Sequence, residues 1–115
     1  MTIKGFTDEA HYRSVMKLTL DKIESAFENV DPDVAECSTQ FGALTIQFSD
    51  KQKCIVSSQP SVRQLWLAVA AKGVAFHFDF NHQKEKWFDD KTGDNELFAY
   101  LKKLLKEKTG TDFNF

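Results

Sequence analysis

A chain of 115 residues with 42% hydrophobic and 28% charged side chains can bury a core without disulfide or metal staples, and it is expected to form one domain over residues 1–115. A formal net charge of −2 offers no attraction to nucleic acid or anionic membrane, and no apolar run approaches the ~20 residues that cross a bilayer. Residues 1–9 carry neither a signal-peptide apolar segment nor an Arg-rich presequence, so the protein is expected in the compartment that makes it, or with a presequence already removed.

In chain order, Thr7-Asp8-Glu9-Ala10 reads as a helix start, with Thr7 as N-cap and two carboxylates in the first turn. Tyr12, Val15/Met16, Thr19/Leu20, Ile23 and Phe27 recur at helical spacing, which predicts a helix to about Asn29 that ends before Pro32. Asp21, Glu24 and Glu28 fall at i, i+3 and i+7 on its outer face, and Asp31, Asp33 and Glu36 extend the acidity. Residues 1–36 hold eight Asp/Glu against four Lys/Arg, whereas residues 102–108 are mostly lysine. This polarity matters more than the small net charge.

Six short runs with period-two patterning follow. Residues 36–39 form a short strand, and Phe41-Gly42 turns the chain into residues 43–48, with Leu44, Ile46 and Phe48 inward. A polar link leads to residues 53–57, and Gln59-Pro60-Ser61 breaks before the central strand. There Leu65, Leu67 and Val69 share one face, while Gln64, Trp66 and Ala68 share the other. In residues 74–80, Val74, Phe76, Phe78 and Phe80 face one way and Ala75, His77 and Asp79 the other. Residues 86–89 form the last strand. Asp94 is the expected cap of a second helix with a stripe of Leu97, Phe98, Leu101, Leu104 and Leu105, stopped at Thr109-Gly110, and the Phe-containing tail is expected to pack back.

Links this short exclude crossover helices, so the sheet is mainly antiparallel. The expected fold is α+β: a two-layer sandwich whose sheet of about six strands carries the N- and C-terminal helices on one face. The other face, bearing Trp66, is left to solvent or a partner; an indole there is costly to leave wet and is enriched at interfaces.

Phosphate-loop, nucleophile-elbow, zincin and Cys/His zinc motifs are absent from the sequence. His11, His77 and His82 are far apart in sequence and read as surface residues, with His11 the more interesting for its neighbours Asp8 and Glu9. Cys37 and Cys54 read as free thiols of a reducing compartment. The row Asp21, Glu24, Glu28, Asp31, Asp33 and Glu36 is either a solvated helix face or a functional one. Like charges at these spacings destabilise the helix slightly, and carboxylate oxygens suit hard cations held weakly on an open surface, or a basic docking partner.

Three segments carry a resemblance to a known family: Gly42-Ala43-Leu44-Thr45-Ile46; Gln59 followed by Gln64-Leu65-Trp66-Leu67-Ala68; and Trp87 followed by Asp90-Lys91-Thr92-Gly93. Together, in this element order, they resemble the frataxin family in its bacterial form. The resemblance implies a frataxin-like sandwich and weak surface binding of ferrous or ferric iron, with other divalent cations able to substitute, at Asp21, Glu24, Glu28, Asp31, Asp33 and Glu36. It also implies docking through Trp66, Gln59 and Gln64 onto a cysteine desulfurase and the scaffold protein of iron–sulfur cluster assembly, as iron donor or regulator. A cytoplasmic, non-enzymatic monomer that oligomerises at most with metal is implied. The alternatives are ferroxidase or iron-storage activity, or a metal-independent interaction module. Ser25 and Asn29 stand at ridge positions that are often acidic in the family.

Overall fold

The computed structural model describes Phe6 and residues 8–115. Its elements are α1 (Glu9–Ser25), β1 (Ala35–Gln40), β2 (Ala43–Phe48), β3 (Lys53–Gln59), β4 (Gln64–Val69), a 3₁₀ turn (Ala70–Lys72), β5 (Val74–Asn81), β6 (Lys86–Asp89) and α2 (Leu97–Thr109). The strands pair with their sequence neighbours in the order β1-β2-β3-β4-β5-β6, antiparallel throughout. The expected antiparallel sheet with one helix at each end of the chain is therefore the observed one.

The alternation places the core. Leu44, Ile46, Phe48, Cys54, Val56, Leu65, Leu67, Val69, Phe78, Phe80 and Trp87 all lie on one face of the sheet and are buried. They share a single cluster with Tyr12, Met16 and Ile23 of α1 and Leu97, Leu101, Leu104 and Leu105 of α2, so both helices cover that face. Phe113 in the tail packs back against Phe27, ring centres 4.9 Å apart. Val74, expected inward, remains 39% exposed at the start of β5.

Helix ends depart from expectation at three places, each with a local cause, and β3 runs on to Gln59 rather than ending at Ser57. Asp8 caps α1 by accepting from the Ala10 amide at 2.8 Å; Thr7 lies outside the described residues. The helix stops at Ser25 rather than Asn29. Residues 26–30 continue as tight turns, with Phe27 and Val30 amides reaching back three residues to the Glu24 and Phe27 carbonyls. This winding turns Phe27 into the core. At α2 the cap is Glu96, not Asp94: its carboxylate accepts from the Phe98 amide at 2.7 Å and the Ala99 amide at 3.2 Å. Asp94 cannot serve, because the loop before α2 is wound around Asp89.

The β1–β2 link has two residues, Phe41 (φ 50°) and Gly42 (φ 75°), the sign pattern of a type I′ hairpin turn. A Cβ at position 42 would also stand 2.9 Å from the Ser58 hydroxyl, so glycine is required there twice over.

Two buried hydrogen-bonding side chains tie the helical layer to the sheet. The Tyr12 hydroxyl donates to the Gln64 carbonyl at 2.7 Å and accepts from the Gln59 amide at 2.9 Å, bridging the ends of β3 and β4. Its burial raises the phenol pKa against the lowering effect of the Gln59 amide. The Trp87 indole donates to the Thr19 hydroxyl at 3.0 Å, which donates in turn to the Val15 carbonyl at 2.8 Å. Both cysteines are free, and both face the helices. Cys37 pairs with Ile46 and Ile46 with Cys54, so β2 lies between them at about 9–10 Å, too far for a disulfide. Burial pushes the Cys54 thiol up to about 12; burial and then the nearby Glu24 charge push Cys37 up to about 11. Neither is a reactive thiolate at neutral pH.

Tyr12→Phe keeps the ring but strands a strand-end amide and carbonyl. Urea unfolding should register a loss of about 1–3 kcal/mol with an unchanged slope; a loss under about 0.5 kcal/mol would show that water replaces the hydroxyl freely.

Candidate functional site

The sheet face away from the helices carries Trp66, and its surroundings fix the indole in one pose. Its cross-strand partner is His77, and the two rings stack with centres 4.2 Å apart and an interplanar angle of 14°. The indole nitrogen donates to the Gln64 side-chain oxygen at 3.0 Å. The Gln64 amide nitrogen donates to Asp79 at 3.0 Å and to Asp90 at 3.1 Å. Asp90 lies 3.8 Å from the His77 imidazole, and its backbone amide donates to the His77 carbonyl at 2.8 Å. Trp66 is therefore half-buried, with its indole nitrogen satisfied by Gln64 and one ring face against His77.

Gln64, expected as a contact residue, is occupied in holding Trp66. Gln59 sits opposite Gln64 in register, on the same face. His77, read from sequence as an isolated surface residue, is corrected here: it is the stacking partner of Trp66. The alternation of β5 already put His77 and Asp79 on one face; which residue of β4 they met depended on the register, which single-strand patterns do not carry. Beyond Trp66 the face continues as a shallow apolar groove of ≈ 280 Å³ that includes Ile55, Ala68 and Ala75 and ends at the β4–β5 link.

Asp90 is delivered by Asp89. The Asp89 side chain points to the core side of β6 and is only 6% exposed. It accepts from the amides of Lys91 (3.1 Å), Thr92 (2.8 Å) and Asn95 (2.8 Å) and from the Thr92 hydroxyl. Burial alone would raise its pKa, but these donors together outweigh it and hold the carboxyl well below the usual carboxylate range.

The acidic residues form a second, separate feature at the β1 edge. All six expected ligands, Asp21, Glu24, Glu28, Asp31, Asp33 and Glu36, are exposed. Asp21 and Glu24 belong to α1, and Asp21 is ion-paired with Lys17 at 2.8 Å. Glu28 lies past the end of α1, so the expected i, i+3, i+7 helical stripe is broken there. Asp31 accepts from the Asp33 amide at 2.9 Å in the following turn. Glu36 faces outward from β1, opposite Gln47. Among the described residues no three His, Cys, Asp or Glu converge as a metal cage. The carboxylates make an open acidic edge, separated from Trp66 by β2 and β3.

With fold and site in hand, comparison with known proteins gives the class. A frataxin-like domain matches residues 5–111, and the chain belongs to the frataxin family, in its bacterial CyaY branch. It is 35% identical over 107 residues to the iron-sulfur cluster assembly protein CyaY of Pseudomonas fluorescens strain Pf0-1, covering 93% of this chain and 94% of that one. The protein of the same name from Azotobacter vinelandii strain DJ is 32% identical over the same coverage. Among solved structures, frataxin from Psychromonas ingrahamii superposes with a TM-score of 0.82 at 22% identity, covering 94% of this chain and 97% of that one. A trimeric yeast frataxin (Saccharomyces cerevisiae) complexed with ferrous ion gives 0.68 at 20% identity, covering 96% and 94%. These two likenesses define the fold.

A carboxyl with a depressed folded-state pKa stabilises the protein fully above the unfolded value near 4, and that contribution fades as pH falls below it. Asp89→Asn removes this component. The wild type should therefore lose more urea stability between pH 7 and pH 3.5 than the variant does; equal losses would show that the Asp89 donors do not carry the effect.

Proposed function

We propose that this protein is a cytoplasmic, non-enzymatic accessory of iron–sulfur cluster assembly, acting as one domain and as a monomer. It docks through the Trp66 face and handles iron at Asp21, Glu24, Glu28, Asp31, Asp33 and Glu36. The observation that carries this reading is the clamped indole: a large amphipathic ring, fixed by Gln64 and His77, on a sheet face that no element among the described residues covers. Rigid aromatic groups of this kind lose little entropy on binding and anchor interfaces. The names borne by the family relatives supply the pathway.

The open acidic edge suits cargo rather than a resident cofactor. Isolated carboxylates completed by water bind hard cations weakly and release them readily, as an iron donor or a metal-responsive regulator requires. Other divalent cations of similar hardness would compete. The same charges complement a basic surface and would speed its encounter. The partners that fit are the cysteine desulfurase and the scaffold on which the cluster forms.

Ferroxidase activity is the weaker reading: no Glu-x-x-His pair of the di-iron type occurs in the sequence, and no three potential ligands converge among the described residues. Aerobic ferrous oxidation with the protein should run no faster than in buffer alone.

Binding to the desulfurase–scaffold complex, measured by surface plasmon resonance, separates the two features. Trp66→Ala should weaken binding by about 2 kcal/mol or more, roughly thirtyfold, mainly through faster dissociation. Glu24→Lys/Glu28→Lys should slow association and reduce its salt dependence. Unchanged affinity in both variants would overturn the reading.

A further inference from the structure

The two flanks of α1 differ in chemistry. One bears Arg13, Lys17, Asp21 and Glu24; the other lines a groove of ≈ 390 Å³ with His11, Leu18 and Lys22, facing His82 and Glu85 across it. His11, in the first turn of α1, and His82, just past β5, are distant in sequence, yet their rings lie 5.6 Å apart at 38° to each other. Phe6 contacts both edge-on, at 5.1 and 4.9 Å, and Phe80 supports His82 at 5.0 Å. The aromatic packing thus holds two imidazoles side by side at the mouth of an open groove, with Lys22 and Glu85 the charged groups that line it.

We propose that His11 and His82 form a two-histidine site for a borderline divalent cation, of which zinc is the probe of choice. A metal–nitrogen bond of about 2.0–2.1 Å puts each ring centre about 3.2 Å from the ion, so two ligands at a tetrahedral angle have ring centres about 5.2 Å apart. The observed 5.6 Å is within a small side-chain adjustment of that value. The protein supplies two nitrogen ligands, since no set of three converges among the described residues, and water occupies the remaining positions from the groove. Imidazole selects zinc, nickel and copper over magnesium and calcium, so this site differs in preference as well as place from the carboxylate edge.

Titration of ¹⁵N-labelled protein with zinc chloride, following backbone amides and imidazole nitrogens together, tests the assignment. The imidazole signals of His11 and His82 should move in concert and saturate at one ion per chain, while amides of residues 21–36 stay in place. His11→Asn and His82→Asn should each weaken zinc binding at least about tenfold in Kd. Magnesium should leave both imidazoles unmoved. His11 is exposed on the helix surface, so a dispersed amide spectrum of His11→Asn confirms that loss of binding is not loss of fold. Movement of one imidazole without the other, shifts confined to residues 21–36, no zinc binding, or wild-type zinc affinity in the variants would each overturn the site.

Discussion

Everything outside the core is arranged by one constraint: all six strands turn their buried residues to the same side. Neighbouring strands are linked by short turns and are antiparallel, so the core parity passes from Leu44 to Val56 to Leu67 to Phe76 directly across the sheet. Two amphipathic helices cover that side and are enough to bury it. No helix among the described residues is left to cover the other. A one-residue slip of β4 would exchange its two faces and bring Trp66 inward, which the buried Leu65 and Leu67 on either side of it resist.

The uncovered face is therefore a consequence of folding, while its order is a consequence of hydrogen bonding. A bare Trp on a solvated sheet would sample several rotamers. Here Gln64 binds its nitrogen, His77 takes its ring, and Asp79 and Asp90 hold Gln64. Asp90 is in place because Asp89, one residue earlier and pointing to the opposite side, gathers the amides of the loop before α2. A buried carboxylate on the core side thus supports the geometry of a half-buried indole on the other. Both the fold's stability at low pH and the pose of Trp66 depend on that turn.

Much of this was legible in the sequence. The two periodicities, 3.6 and 2, placed both helices and all six strands, and the shortness of the links gave the antiparallel order. The parity of Leu65 and Trp66 gave the two faces. What single-strand patterns omit is relative position between strands. His77 looked solitary because its partner is eleven residues away and defined by register. His11 and His82 looked solitary because they are distant in sequence and meet only in the fold, beside Phe6. The N-cap of α2 was misplaced for a similar reason: Asp94 has the right chemistry, but Asp89 holds the loop before the helix, and Glu96 caps it. The acidic row was visible as composition, yet the helical stripe drawn through Glu28 is broken because α1 ends at Ser25 and residues 26–30 follow as tight turns.

The central claim is that one exposed edge handles iron while a separate, rigid face docks. A backbone-amide NMR titration with ferrous iron under anaerobic conditions addresses it most directly. The account expects line broadening confined to residues 21–36, with the Trp66 and His77 amides sharp. Broadening centred on the Trp66 face, or a spectrum unchanged at excess iron, would contradict it and leave the carboxylates a role in docking alone.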